Sequence, residues 1–254
     1  MTDPAITAEG LTKRYGDEVA VSELSLSVPE GAVYGFLGPN GAGKTTTMRL
    51  LTGLTRPTAG SATVASVSVA DRASLTGRIG YLPADPPVFD ELTGREHLRY
   101  VARLHELPDD DATTRIDDLL ARFDLAGDAD RRIETYSTGM EKKLGVIAAI
   151  VHEPAVVFLD EPTSGLDPRA ARTMRDTIGA FADRDVTVLL SSHVLPVVDE
   201  LADTVGVIDD GELVAEDTPE ALKRRARADG EADLETAFLD VTREDDVTND
   251  AVEA

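Results

Sequence analysis

A glycine-rich segment between a predicted strand and a predicted helix constrains this chain more than any other feature. Residues 38–46 read Gly-Pro-Asn-Gly-Ala-Gly-Lys-Thr-Thr, after the apolar run Val33–Leu37 and before a helix-compatible run at 45–54. Glycines let successive backbone N–H groups point at one centre, and a helix N-terminus favours an anion there. The segment therefore predicts a site for nucleotide phosphates in an α/β fold.

Two side chains of this loop can act on the phosphates directly. Lys44 adds a full positive charge for the β- and γ-phosphates, and the Thr45 hydroxyl can ligate Mg²⁺. The residues predicted to contact the nucleotide are Gly38, Asn40, Gly41, Ala42, Gly43, Lys44, Thr45 and Thr46. Such a loop occurs in ATPases, GTPases and kinases, so other motifs must separate these classes.

A second apolar strand runs into two carboxylates, Asp160 and Glu161. Apolar strands are typical of the centre of a parallel sheet, where ligands bind at the carboxyl ends of the strands. We expect Asp160 to hold Mg²⁺, usually through water, and Glu161 to polarise an attacking water. A third strand, at 186–190, leads to His193, whose imidazole could donate a hydrogen bond near the γ-phosphate. For His97, His105 and His152 we expect a solvated surface position or a hydrogen-bonded partner.

In this order the motifs resemble the nucleotide-binding subunit of an ATP-binding cassette (ABC) transporter, over nearly the whole chain. Residues 38–45 resemble the Walker A motif of that family, and residues 156–160 resemble its Walker B motif. Residues 136–140, Tyr-Ser-Thr-Gly-Met, resemble the signature loop usually written Leu-Ser-Gly-Gly-Gln and keep Ser137 and Gly139. Residues 164–167 are similar to the D-loop, and Tyr15 resembles the aromatic residue that stacks on adenine.

The resemblance implies a fold and a set of roles. The fold is the α/β P-loop NTPase fold of ABC ATPases, with a RecA-like core, an N-terminal antiparallel β subdomain and an inserted helical subdomain at about 92–150. Glu161, His193 and Lys44 are the implied catalytic residues, and Thr45 and Asp160 the Mg²⁺ ligands. The ATPase domain would span 1–242, and the acidic tail 243–254 is expected to be disordered.

The signature loop makes physical sense as a second phosphate site. Ser137 is the helix cap that the family implies, although Thr138 with Glu141 also has capping-box spacing. Either way, a hydroxyl and free N–H groups gather at a helix N-terminus. In the family this loop closes on the ATP of a second subunit. The resemblance thus implies a head-to-tail dimer of ATPase subunits with two ATP molecules at its interface, attached to an integral membrane permease.

One position departs from the family pattern. Ala84 stands where the family usually has glutamine, whose side chain touches Mg²⁺ and water and links the site to the membrane subunit. Alanine can do neither, although the adjacent Asp85 could partly substitute. This departure concerns coupling through the loop and leaves the predicted nucleotide binding intact.

Composition bears on location and partners. The chain has no cysteine, which excludes disulfides and thiolate metal sites. It has no apolar run near the roughly 18 residues that span a bilayer and no signal-peptide pattern, so we expect a cytoplasmic protein, peripheral on the inner face of the membrane through the permease.

A net charge of −23 suggests a halophile, because molar salt screens the repulsion between like charges, although an acidic mesophile protein is the alternative. The same charge argues against a nucleic-acid partner.

The resemblance predicts that this chain is an ATPase subunit that drives export through a separate permease. Residues 234–239 resemble a closing segment common in exporter-type subunits. A soluble ABC ATPase with a non-transport role is the alternative, but the interval between Lys44 and Asp160 leaves no room for the long coiled coils of chromosome-maintenance members. A GTPase or small-molecule kinase lacks support, because no Asn-Lys-x-Asp motif is present and the signature loop would have no purpose there. The sequence does not identify the exported substrate, because the permease makes the substrate contacts.

Overall fold

The computed structural model describes residues 4–182, 186–225 and 233–249, which form two β-sheets with α-helices around them. The strands are β1 (Pro4–Tyr15), β2 (Glu18–Pro29), β3 (Val33–Leu37), β4 (Ala59–Val64), β5 (Val67–Ser68), β6 (Ile79–Leu82), β7 (Val156–Asp160), β8 (Thr187–Ser192), β9 (Thr204–Asp209) and β10 (Glu212–Asp217). The helices are α1 (Lys44–Leu51), α2 (Arg72–Thr76), α3 (Gly94–Leu104), α4 (Asp109–Arg122), α5 (Thr138–Ile150), α6 (Pro168–Ala182), α7 (Leu195–Leu201), α8 (Pro219–Arg225) and α9 (Leu234–Asn249). Within these ranges, no helix combines the length and the hydrophobicity needed to cross a bilayer.

The first sheet is the antiparallel β subdomain that the sequence predicts. Its strand order is β2-β1-β4-β5, and Ile6 of β1 pairs with Val28 on one side and Val64 on the other. Along β2, buried Leu24 and Leu26 alternate with exposed serines, the period of two expected when one face packs on the core. The β1–β2 hairpin thereby presents an apolar face to the rest of the domain.

The second sheet has the order β10-β9-β3-β8-β7-β6 and forms the RecA-like core. The five strands from β9 to β6 are parallel, and only the edge strand β10 is antiparallel. Every residue of β3, β7 and β8 is buried, because helices or the first sheet cover both faces. The carboxyl ends of β3, β7 and β8 therefore open on the same edge, next to each other.

Helices α3, α4 and α5 lie between β6 and β7 in the chain and share an apolar core with the sheet. The predicted capping box starts α3: the Thr93 hydroxyl accepts from the Glu96 N–H at 3.2 Å, and the Glu96 carboxylate accepts from the Thr93 N–H at 2.9 Å. Helix α4 starts at Asp109, as the acidic run predicts, since negative charge stabilises a helix N-terminus.

Two helix boundaries differ from the sequence expectation. Helix α1 ends at Leu51, before the predicted residue 54, because Gly53 has a φ of +68° and turns the chain away. Helix α9 continues to Asn249 and so includes the first part of the tail expected to be disordered from 243 on. Buried Leu234 and Ala237 dock the first turns of this helix on the core. Residues 250–254 lie outside the described residues.

Candidate nucleotide site

The phosphate loop depends on its glycines for both conformation and packing. Gly41 and Gly43 have φ values of +89° and +100°, which favour glycine because other residues clash there. A Cβ on Gly43 would lie 2.4 Å from the carbonyl oxygen of Ala20, and one on Gly38 would lie 2.4 Å from that of Ile208. The loop is thus packed between β2 and β9 in a shape that only glycine permits.

The N-terminus of α1 is free to attract an anion. Gly43 is the N-cap, so no side chain caps the helix, and no acidic residue lies in its first turn. The first N–H groups of a helix have no intrahelical partner, and they carry partial positive charge. The loop therefore directs backbone donors at the place where the sequence predicts phosphates.

Lys44 is buried inside the loop that it serves. Its ammonium group donates to the carbonyl oxygens of Gly38 at 2.6 Å and Pro39 at 2.9 Å, and the residue is 7% exposed. Burial lowers the pKa of Lys44, and the nearby carboxylates of Glu161 and Asp160 partly oppose that shift. The three charged groups of the predicted site consequently lie within electrostatic reach of one another.

Asp160 is held by two hydroxyl groups. Its Oδ2 accepts a hydrogen bond from the Thr45 hydroxyl at 2.8 Å, and its Oδ1 accepts one from the Ser191 hydroxyl. Ser191 reaches it because β7 and β8 are neighbours, with Asp160 and Ser191 in register. The carboxylate is 1% exposed, so these bonds compensate for its lost hydration.

The Thr45–Asp160 pair fits the needs of Mg²⁺, which prefers oxygen ligands and keeps several waters and phosphate oxygens. Among the described residues, no group of three or more His, Cys, Asp or Glu side chains could hold a metal ion without such help. The donor set thus matches a nucleotide-bound Mg²⁺ better than a protein-only metal site.

Glu161 and His193 meet at the same edge of the sheet. Nδ1 of His193 lies 2.8 Å from Oε2 of Glu161, as the ends of β7 and β8 place them side by side. The Glu161 side chain is only 15% exposed, whereas that of His193 is 53% exposed. Glu161 also has a φ of +51°, and its N–H donates to the carbonyl of Ser191 at 3.1 Å.

The signature loop forms the start of α5. Ser137 is the N-cap, and its hydroxyl accepts from the Met140 N–H at 3.3 Å, so the alternative cap at Thr138 is not used. A Cβ on Gly139 would meet Ala170 and Leu166 at an ordinary contact distance of 3.7 Å. The described part of the chain therefore gives no packing reason for a glycine at that position.

Tyr15 lies at the tip of the β1–β2 hairpin, where it pairs with Glu18. Its ring is 48% exposed, and the ammonium group of Lys13 lies 4.9 Å from the ring centroid. Since Ala20 of the same hairpin packs against Gly43, the hairpin lies beside the phosphate loop.

Two residues of the site were missed by the sequence analysis. Ser191 directly follows the third predicted strand in the sequence, and its role depends on the register between β7 and β8. Lys142 is 6% exposed on the apolar side of α5, and its ammonium group donates to the carbonyls of Glu161, at 2.9 Å, and Ser164. In the sequence Lys142 lies between Glu141 and Lys143, so no local signal marks it as buried.

A groove lies apart from this site, between β6, α3 and α5, with a cavity of about 250 Å³. We call it the histidine-lined groove; its lining includes Leu82, Pro86, Val101, His97, His105 and His152. The rings of His105 and His152 stack with centroids 3.6 Å apart, and burial lowers the pKa of His152 to about 4. His97 differs from expectation: it is 3% exposed, and its Nδ1 has no hydrogen-bond partner among the described residues.

Comparison with known proteins relates this geometry to a family. The model of a family described as ABC transporter matches residues 21–164. The chain is 44% identical over 230 residues to the daunorubicin resistance ATP-binding protein DrrA3 of Streptomyces coeruleorubidus, covering 90% of this chain and 73% of that protein. It is 38% identical over 224 residues to the bacitracin transport ATP-binding protein BcrA of Bacillus licheniformis, covering 87% and 72%. A solved ATP-binding subunit of an ABC transporter superposes with a TM-score of 0.86 at 27% identity, over 94% of this chain and 99% of that one.

Proposed function

This chain belongs to the ABC transporter family, and we propose that it hydrolyses ATP to drive export through a separate membrane permease. It is an ATP-binding subunit with an ATPase domain. The observation that carries the proposed site is the 2.8 Å hydrogen bond from the Thr45 hydroxyl to Asp160, which joins the phosphate loop to the end of β7. Its relatives include proteins named for daunorubicin resistance and bacitracin transport, which supports a role in export.

The hydrolytic step assigns a role to each side chain. The loop N–H groups and Lys44 would bind the β- and γ-phosphates and stabilise the charge that develops on them in the transition state. Thr45 and Asp160 would hold Mg²⁺, which supplies further neutralisation of phosphate charge. Glu161 would polarise the attacking water, with His193 orienting its carboxylate through the 2.8 Å contact. Tyr15 would stack on the adenine.

The active unit in this proposal is a head-to-tail dimer. Ser137 and Gly139 start a helix whose N-terminus suits phosphate, and none of the described residues packs so closely on position 139 that it must be glycine. A glycine at this position is explained if the nucleotide of a second subunit approaches it closely. Each ATP would then lie between the phosphate loop of one subunit and the signature loop of the other.

The permease would dock at the histidine-lined groove. The groove has apolar walls, and Phe89 and Tyr100 beside it are 47% and 44% exposed, with their rings in edge contact at 5.4 Å. Exposed apolar clusters of this kind mark interaction sites. We assign to it a short amphipathic helix of the permease, which would hold the chain at the cytoplasmic face of the membrane.

Halophily is part of the proposal and rests on charge. The chain carries 48 acidic and 25 basic residues, a net charge of −23. At low ionic strength the excess acidic side chains repel one another and destabilise the folded state. Near molar salt the Debye length falls to about 3 Å and most of this repulsion is screened. A cytoplasm rich in salt would suit such a surface.

Purified protein tests the enzymatic part. We expect Mg²⁺-dependent ATP hydrolysis by the wild type and loss of binding of a fluorescent ATP analogue by Lys44→Ala. Lys223→Ala, which removes a lysine paired with Asp199 elsewhere, serves as the control and should bind normally. A wild type that neither binds nor hydrolyses ATP would overturn the proposal.

A second experiment tests the contact with the permease. Phe89→Asp should reduce co-purification with the permease while ATP binding persists.

A further inference from the structure

Lys142 joins two parts of the molecule that the proposed mechanism treats separately. It lies one turn into α5, the helix whose N-terminus is the signature loop. Its ammonium group donates to the carbonyl of Glu161 at 2.9 Å and also to the carbonyl of Ser164 in the D-loop. One buried side chain thus connects the signature helix to the backbone of the proposed base.

The backbone held by Lys142 is under conformational strain. Glu161 has a φ of +51°, in the left-handed region that non-glycine residues rarely occupy, and Gly165 follows with a φ of +73°. The Glu161 carbonyl also accepts from the Ser164 N–H at 3.2 Å, which closes the turn between them. A strained turn persists only where its surroundings hold it in place, and Lys142 supplies two of the bonds.

The buried ammonium group of Lys142 lies within electrostatic reach of three carboxylates. Desolvation lowers the pKa of this lysine, whereas the carboxylates of Glu161, Asp85 and Asp160 raise it. A charged donor makes stronger hydrogen bonds to carbonyls than a neutral one. The D-loop lies beside the start of the signature helix, because a Cβ built on Gly165 would lie 3.9 Å from Thr138 and one built on Gly139 would lie 3.7 Å from Leu166.

We propose that Lys142 is a positioning residue for ATP hydrolysis: by bonding the Glu161 and Ser164 carbonyls it fixes the base for its own ATP and ties that base to the signature helix. The inference rests on the proposed role of Glu161. In the proposed dimer the signature helix of each subunit contacts the other subunit's ATP. Movement of that helix on nucleotide binding would therefore reach the base of the first site through Lys142.

The test compares Lys142→Met with Lys142→Gln. Methionine keeps the length and the volume of the side chain but removes the donor, whereas glutamine restores one N–H donor at similar reach. We expect Lys142→Met to lower kcat about tenfold or more with KM for ATP within about threefold, and Lys142→Gln to recover most of the kcat. Lys223→Met, which removes a lysine from the ion pair with Asp199, should keep wild-type kcat.

Hydrogen exchange measured by mass spectrometry on peptides covering 161–166 gives a readout that needs no ATP. Exchange should accelerate in Lys142→Met and remain near wild type in Lys142→Gln. Thermal unfolding is recorded for each variant, and Lys142→Leu replaces the methionine variant if that one does not fold. Unchanged exchange and unchanged kcat in the folded apolar variant would overturn the inference, as would equal losses in the apolar and glutamine variants. A wild type that hydrolyses no ATP would instead overturn the proposed function.

Discussion

Nδ1 of His193 lies 2.8 Å from Oε2 of Glu161, while the Glu161 N–H is bonded to the carbonyl of Ser191 two residues before that histidine. The end of β8 thus holds both the side chain and the main chain of Glu161. A left-handed backbone at a non-glycine residue costs on the order of 1–3 kcal/mol, so these bonds offset a real strain. These contacts fix the orientation of the carboxylate, which suits the role proposed for it as the base.

Glu161→Gln tests this role. The amide keeps the shape of the side chain and removes the charge that polarises water, so we expect ATP affinity within about threefold and kcat lowered about a hundredfold or more. A dimer with trapped ATP should then accumulate, visible as an ATP-dependent shift in gel filtration. Near-normal turnover would move the base elsewhere, with Asp85 or His193 as the next candidates.

Ser191→Ala tests the support of Asp160. The substitution leaves Oδ1 of a carboxylate that is 1% exposed without its hydroxyl donor. Leaving a buried polar group unsatisfied costs about 1–3 kcal/mol, so the free energy of unfolding in urea should fall by about that amount. The concentration of Mg²⁺ that gives half-maximal hydrolysis should rise as well. Asp71→Ala, which removes an exposed cap of α2, is a control that should leave Mg²⁺ dependence unchanged.

The parts of the fold and site that could be predicted are those with local signals. Strand β3, the phosphate loop and the cap at Thr93 each follow from residues adjacent in the sequence. Ser191 could not be assigned, because its bond to Asp160 requires knowing that β7 and β8 are neighbours in register. Lys142 was missed for a similar reason, since its carbonyl partners lie beyond the helix that carries it. Helix ends such as that at Leu51 depend on packing around Gly53, where a Cβ would lie 2.9 Å from Val69.

The departure at Ala84 leads to a prediction about the basal rate. Ala84 and Asp85 are both exposed, and the Asp85 carboxylate is near enough to raise the pKa of Lys142. We expect Ala84→Gln to leave ATP affinity within a few-fold and to raise hydrolysis about tenfold or less, the scale of one recovered contact. Asp85→Ala should lower hydrolysis if that carboxylate has taken over the missing role. The test is the steady-state rate of ATP hydrolysis by the wild type and both variants at the same high salt concentration. If neither substitution changes the rate, this loop serves only the contact with the permease.

The stacked histidines of the groove make stability depend on pH. Burial, the neighbouring His105 and Arg115 lower the pKa of His152 from 6.5 to about 4, against the opposing hydrogen bond to Ile79. The unfolded chain then binds more protons between these two values, so stability is full above pH 6.5 and declines as pH falls toward 4. His152→Phe keeps a ring for stacking and removes the titration. Its loss of unfolding free energy over this window should be smaller than that of the wild type by on the order of 2 kcal/mol, measured by urea titration.

Salt should stabilise the chain through screening. We expect the midpoint of thermal unfolding, followed by circular dichroism, to rise between about 0.05 M and about 2 M KCl, and ATPase activity to rise with it. Sucrose at matched osmolality is the control, because it favours compact states without screening charge. Equal stability at both salt concentrations would remove the argument for a halophile.

The sheet order has a consequence for how this protein is made. Strand β3, which enters the phosphate loop, has as its two neighbours β8 and β9, so Val33 pairs with Val188 and Tyr34 with Thr204. A ribosome must therefore synthesise most of the chain before the strand beneath the nucleotide gains either partner. Until then an apolar strand with two open edges is exposed, a state prone to aggregation. Nascent chains stopped before β8 should be unable to hold ATP and should depend on chaperones to stay in solution.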